Sequence, residues 1–300
     1  MPELPSVTVY VERIAAFTTG EVLQDIRLTS PFLLRSVEPP LSAVRGKRVQ
    51  SCQRINKRIA IGLEGELFLV IHLMITGRLR WKKADAAIPK RAGLAAFDFA
   101  HGSMIFTEAS KKKRASLHVV AGRDELARFD RGGLEVLDGD LDDFRTALTR
   151  ENHTLKRALT DQRILSGIGN AYSDEILHRA RLSPFKQTHA LDGGELSRLH
   201  EATIAVLREW TERLRAEVGD GFPDRVTAFH EAMAVHGRFR QPCPVCGRKV
   251  QRIVYAENEA NYCAQCQTGG RLLADRALSR LLKKNWPKTI DELEGRPMGK

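Results

Sequence analysis

Two cysteine pairs near the end of the chain limit its fold more than any other feature. The stretch CPVCGRKVQRIVYAENEANYCAQC holds Cys243 and Cys246, then sixteen residues, then Cys263 and Cys266. Each C-x2-C pair presents two thiolates from one tight turn, and two such turns complete a tetrahedron. The spacing fits a four-cysteine zinc ribbon, with residues 248–262 as a hairpin under the metal. Cysteine fills all four positions, so no coordination site is left open and a single Zn2+ would be structural. The competing readings are chance and a redox pair. Cys52 stands apart in a predicted strand, where a thiol acts as a small buried hydrophobe.

Charge narrows the partners. Lys and Arg total 48 against 37 Asp and Glu, a net charge of +11. Such an excess suits a polyanion, nucleic acid ahead of a membrane surface, against the plainer reading of a solvated basic face. The first twenty residues lack the apolar segment of a secretory signal, and no apolar run approaches a membrane span. The expectation is a cytoplasmic monomer, nucleoid-associated if bacterial, with reduced thiols.

A chain of 300 residues suggests about two domains. Residues 6–19 read as an amphipathic helix, with Ser6 as its N-cap and Gly20 as its stop. Between 21 and 120 the period changes. RVQSCQRI, RIAIGL, ELFLVIHL, AGLAAFDF, SMIFTEA and ASLHVV are short, rich in β-formers and separated by turn signals. They predict an N-terminal β-sandwich with a flanking helix, residues 2–120. Residues 121–140 read as a linker. Helical spacing from 141 to 237 predicts an α-helical domain, so the class is α+β and multidomain. The ribbon occupies 238–270, and a helix around DRALSRLLKK with a polar tail fills 271–300.

A second informative segment is KRALTDQRILSGIGNAYSDEIL. The turn GIGN separates two predicted helices, the second starting at Ala171 with Asn170 as its N-cap. A glycine-rich turn that opens a helix offers backbone N–H groups to an anion, and Lys156 precedes it in sequence. A plain helix–turn–helix bend is the alternative at equal weight. Asp174 and Glu175 would repel a phosphate unless they point inward.

MPELP at the start, SGIGNAYSDEIL and CPVC…CAQCQ occur in this order, and together the chain resembles the formamidopyrimidine-DNA glycosylase and endonuclease VIII family of base-excision repair from residue 2 to about 267. The resemblance implies a β-sandwich followed by a helix–two-turn–helix domain and a zinc finger, acting on double-stranded DNA that carries damaged bases or abasic sites. It implies that Pro2, after removal of Met1, is the nucleophile of a glycosylase/AP lyase, with Glu3 moving protons and Lys57 assisting from a strand. A terminal proline supplies a secondary amine that can displace a base and form an iminium ion. The resemblance also places His72, Lys156 and Asn170 on the DNA backbone. Taken singly, these residues have plainer readings: a solvated Glu3, an outward Lys57, and a His72 on the opposite sheet face from Ile71 and Leu73.

Several positions depart from the family pattern. PELPSV carries Ser6 where the family has a glutamate. HLMITG puts Met74 and Ile75 where a methionine fills the gap left by a flipped nucleotide. FTEASKKKRASLHVV lacks an aromatic wedge and offers Lys111, Lys112, Lys113 and Arg114 for phosphates, or as a solvated loop. His236 and Asn258 stand at the DNA-contacting tyrosine and arginine positions of the finger. The nucleophile is kept while the lesion-reading parts change, which leaves the preferred base open. A non-catalytic protein that binds damaged or branched DNA on the same scaffold is the alternative. A zinc-ribbon interaction protein unrelated to repair would leave MPELP and GIGN as coincidences.

Overall fold

A computed structural model describes residues 1–224, 230–255, 258–274, 281 and 287–295. The chain forms two compact units, residues 1–131 with 208–228, and residues 132–207 with 229–300. The predicted helix DRALSRLLKK, apart from Leu281, falls outside the described residues.

The first unit opens on helix α1, Leu4–Thr18. It starts two residues before the expected Ser6, because Glu3 takes the N-cap place and Ser6 the third helical position. Ser6 Oγ accepts from the Glu3 N–H and donates to the Glu3 carbonyl, both at 3.0 Å. Gly20, at φ +85°, lies just beyond the helix and permits the reversal into the sheet.

Among the described residues, nine antiparallel strands follow in this unit: β1 Val22–Leu23, β2 Asp25–Leu28, β3 Lys47–Ile55, β4 Arg58–Leu63, β5 Leu67–His72, β6 Gly77–Lys82, β7 Gly93–Phe99, β8 Gly102–Glu108 and β9 Ser116–Ala121. One sheet runs β1-β3-β4-β5-β9 and the other β2-β7-β8-β6. Tyr10, Ile14, Ile59, Ile61, Leu69, Ile71, Phe97 and Phe106 are fully enclosed in one core shared by both sheets and α1. The runs RIAIGL and LFLVIH are apolar without alternation because β4 and β5 are covered on both faces. Ala60, Phe68 and Val70 point away from the main core and pack with Val120 and with Leu126 of helix α2, Arg123–Ala127. Part of the expected linker therefore closes the sandwich.

The second unit carries α3 Leu141–Thr149, α4 Leu155–Thr160 and α5 Asn170–Arg179. Asp140 caps α3 by accepting from the N–H groups of Asp142 at 2.8 Å and Asp143 at 2.9 Å. Helix α6, Gly193–Val218, begins in this unit and ends in the first. There Arg215 pairs with Glu12, and Phe222 meets Tyr10 and Phe17 edge-on. The ribbon hairpin is β10 Gln251–Tyr255 and β11 Asn258–Tyr262, followed by α7 Ala264–Thr268.

Candidate functional site

The chain terminus lies at one end of the sandwich. Pro2, Glu3 and Leu4 are buried, with Glu3 3% exposed. Burial pushes the Met1 α-amine below its ordinary range; Glu3 opposes this, while Arg78 and Lys57 add to it. Those opposing charges bring Glu3 and Lys57, two residues expected near the chemistry, into electrostatic range of the terminus. They add Arg78, which sequence reasoning missed.

Lys57 sits on the two-residue turn between β3 and β4, not on a strand. The turn needs a left-handed residue, and Asn56 supplies it at φ +51°. The Asn56 side chain donates to Asp130 Oδ1 at 3.2 Å and accepts from the Arg131 N–H at 3.1 Å. A turn tip is thus tied from both sides of a buried amide, which fixes where Lys57 starts.

His72 ends β5, opposite Arg58 on one neighbour and Ser116 on the other. Burial first, then Arg58, Lys57 and His118, pull its imidazole down to about 4. The ring is therefore neutral at physiological pH, and its Nδ1 accepts from the Met74 N–H at 3.3 Å. Met74, Ile75 and Thr76 form the tight turn that follows. Met74 is left-handed at φ +53°, and Ile75 is 50% exposed at the tip. Gly77 closes the turn: a Cβ there would stand 2.1 Å from the Leu73 carbonyl oxygen. Arg78 folds back onto the same turn, donating to the Gly77 carbonyl at 2.6 Å. Arg114 is exposed, and its backbone N–H donates to the Glu108 carboxylate at 3.0 Å.

In the second unit the GIGN turn is built by Gln162, another residue missed from sequence. Its amide donates to the Ile168 carbonyl at 2.7 Å and accepts from the Gly167 N–H at 2.9 Å. Gly167, at φ +81°, makes the bend. Helix α5 then starts at Asn170 itself, with Gly169 as N-cap; the expected cap at Asn170 is one residue late. Asn170 is half-buried, and its carbonyl accepts from Lys156 Nζ at 2.7 Å.

Lys156 is buried rather than presented outward. Its ammonium meets Asp174 Oδ1 at 2.5 Å, and the two side chains are 4% and 1% exposed. The other Asp174 oxygen lies 2.8 Å from His236 Nδ1 and 3.4 Å from Asn261 Nδ2. His236 is correspondingly buried. Glu175 also points inward, accepting from the N–H groups of Ala234 at 2.7 Å, Val235 at 2.9 Å and His236 at 2.9 Å. Burial still pushes its carboxyl above the usual range, against those three donors. The inward aim of both acids takes their charge away from the turn. Lys156 and His236 join the GIGN helix to the segment before the ribbon. The side chain of Asn258 lies outside the described residues.

The four cysteine sulfurs all lie within 4.8 Å of one another. Cys243 to Cys266 is 3.9 Å and Cys246 to Cys263 is 3.4 Å. A tetrahedron with Zn–S bonds of about 2.3 Å has edges of about 3.8 Å, so the donor set fits one zinc ion. His178 Nε2 approaches Cys243 Sγ at 3.3 Å and would orient that ligand from outside.

A sandwich opening on a buried N-terminal helix, a glycine turn into a helix and a four-thiolate ribbon together form the architecture of a DNA-repair glycosylase. Family models agree with this along most of the chain. The formamidopyrimidine-DNA glycosylase N-terminal domain matches residues 1–115, its H2TH domain 135–218, and the zinc finger found in FPG and IleRS 240–269. The formamidopyrimidine-DNA glycosylase of Thermus thermophilus is 33% identical over 277 residues, covering 90% of this chain and 100% of that protein. An uncharacterized formamidopyrimidine-DNA glycosylase-like protein of Mycobacterium tuberculosis is 44% identical over 151 residues, 50% of this chain and 94% of that protein. Among solved structures, the MutM (Fpg) protein of T. thermophilus superposes with a TM-score of 0.75 at 32% identity, covering 89% of this chain and 98% of that one. A Lactococcus lactis FPG mutant bound to Fapy-dG-containing DNA gives 0.78 at 25%, covering 89% and 100%. The chain belongs to the formamidopyrimidine-DNA glycosylase family. Among the described residues, no helix is long and apolar enough to cross a membrane.

Proposed function

We propose that this protein is a base-excision DNA glycosylase and AP lyase whose nucleophile is the Pro2 amine, exposed by removal of Met1. The observation that carries this reading is the setting of the terminus. Pro2 and Glu3 are buried there, and the α-amine of Met1, one residue before Pro2, lies in electrostatic range of Glu3, Arg78 and Lys57. Once Met1 is removed, the same burial and the same two cations would act on the Pro2 amine and favour its neutral form, as a nucleophile requires.

The chemistry follows from the secondary amine. Pro2 N attacks C1′ of the damaged nucleotide, the base leaves with its bonding electrons and a proton, and loss of the ring oxygen from C1′ gives an iminium ion. The cation acidifies the C2′ proton, and its removal expels the 3′-phosphate. Water then adds at C1′ of the iminium ion, the C1′–N bond breaks, and an unsaturated sugar aldehyde and the free Pro2 amine are released. Glu3 is the acid–base group nearest the terminus in sequence, and its charge reaches the Met1 α-amine one residue before Pro2. Lys57 and Arg78 offer positive charge to the flanking phosphates. Ile75 and Met74, apolar at a turn tip locked by Gly77, suit the gap that a flipped nucleotide leaves. In the second unit, Asn170 at the start of α5 is the residue offered to phosphate, and Lys156 and His236 act by holding that helix through Asp174. Homologues crystallised with abasic-site DNA and with Fapy-dG-containing DNA support DNA of this kind as the partner.

The test is covalent capture. Borohydride added to protein and a duplex with one abasic site should trap an adduct that peptide mass spectrometry places on Pro2. Glu3→Gln should slow its formation, and Pro2→Gly should abolish attachment through a proline iminium. Tight binding with Met1 removed and no adduct would favour the non-catalytic reading instead.

A further inference from the structure

Past residue 269, where the zinc-finger family model ends, the chain folds back onto the ribbon. The Leu272 N–H donates to the Lys288 carbonyl at 2.8 Å, and the Ile290 N–H donates to the Gly270 carbonyl at 2.8 Å. These bonds set Thr289 antiparallel beside Arg271. Thr289 then caps a short helix α8, Ile290–Glu294, its Oγ1 accepting from the Glu292 N–H at 3.2 Å. Ile290 is fully buried in one cluster with Ile253, Tyr262, Ala264 and Leu273. The Tyr262 hydroxyl accepts from the Leu273 N–H at 2.8 Å, which satisfies the ring's polar atom inside that cluster.

Helix α8 carries two carboxylates to the first cysteine pair. Arg248 donates to Asp291 Oδ1 at 2.6 Å and to Glu294 Oε2 at 2.9 Å, and the Lys249 N–H donates to Glu294 Oε1 at 3.3 Å. The Arg248 and Glu294 side chains are 20% and 9% exposed, so the contact lies between a surface ion pair and a buried one. Arg248 in turn closes the turn that bears Cys243 and Cys246: its carbonyl accepts from the Cys243 N–H at 2.8 Å. That turn is the open side of the ribbon. Cys246 is the exposed one of the four thiol ligands, and Val245 beside it is 60% exposed. Local opening is easiest where few contacts hold the chain, and α8 adds its contacts at that point.

We infer that residues 287–295 are a clasp that retains the zinc ion, with Arg248 as the positioning residue through which Asp291 and Glu294 hold the Cys243–Cys246 turn closed. The inference rests on the zinc ribbon and is independent of the lyase reading.

The experiment follows zinc release from the zinc-loaded full chain to an excess of a chromogenic chelator. Asp291→Asn/Glu294→Gln should release zinc about tenfold faster than wild type, equivalent to about 1.4 kcal/mol. Added salt should speed release from wild type and leave that variant little changed, because partly exposed ion pairs are screened. A pulse of N-ethylmaleimide during release, mapped by peptide mass spectrometry, should label Cys243 and Cys246 before Cys263 and Cys266 in the variant. Ile290→Ala loosens the anchor of α8 without touching the charges and should also speed release. An unchanged release rate in the double variant overturns the inference, whatever Ile290→Ala does. Equal labelling of all four cysteines overturns it too, since the ribbon would then open as a whole rather than at the clasped turn. If Ile290→Ala fails to fold by its melting curve, the double variant decides alone.

Discussion

Asp174→Asn tests the buried junction of the second unit. Asp174 is 1% exposed and faces the Lys156 ammonium at 2.5 Å, with His236 on its other oxygen at 2.8 Å. Asparagine keeps the shape and one acceptor but removes the charge. An uncompensated ammonium would then sit in a site 4% open to water. Breaking a buried pair from one side costs about 3–5 kcal/mol. The retained amide oxygen can still accept from Lys156, so the low end, about 3 kcal/mol, is expected. For a unit of roughly 150 residues, 1 kcal/mol corresponds to about 2–4 °C, so the melting temperature should fall by about 6–12 °C. The assay is thermal unfolding with the zinc-loaded protein, repeated in urea. A double change, Lys156→Met with Asp174→Leu, should recover at least half of the loss, because an apolar pair of similar volume replaces the buried ions. A single-variant cost below about 1 kcal/mol would refute the claim that this pair carries an uncompensated burial penalty.

Three further outcomes follow from the same geometry. His72 has a folded pKa of about 4 against an ordinary 6.5, so only the unfolded chain takes up its proton between those values. Its contribution is complete above pH 6.5 and is lost as the pH falls toward 4; from pH 7 to 4.5 wild type should lose about 2 kcal/mol more than His72→Gln in urea titrations. Gly77→Ala would drive a Cβ to 2.1 Å from the Leu73 carbonyl oxygen. It should cost about 1–3 kcal/mol in urea unfolding and displace Met74 and Ile75, seen as weaker discrimination between abasic and intact duplexes. Removing zinc with a chelator should unfold the ribbon, because Cys243 and Cys263 are themselves part of its small core with Val235 and Val250. Near-UV circular dichroism should show the loss, and added Zn2+ should reverse it.

The parts of this fold that were legible in the sequence are those whose signal is local. The β-branched runs of β4 and β5 and the long period of α6 need only their own residues, as does the cysteine spacing. Strand β6 was missed because GRLRWK alternates with arginine: Leu79 faces the core while Arg78 and Arg80 do not. The site was legible in outline and misjudged where partners are distant. Ser6 looks like an N-cap until Glu3 is seen to take that place, and a strand assignment for Lys57 overlooks Asn56, whose tolerance of positive φ marked a turn. Nothing near Lys156 announces that a carboxylate eighteen residues on will bury it. Arg78, Glu108 and Gln162 gave no signal by spacing, because their roles arise from contacts between strand ends and turns.

The central claim is that the chain terminus performs the chemistry. Its most direct test is borohydride capture on an abasic-site duplex, after intact-mass measurement has confirmed loss of Met1. One adduct per protein is expected, mapped to Pro2 and absent when Met1 is retained. An adduct mapped to Lys57 or another lysine, or equal capture with Met1 in place, would contradict it.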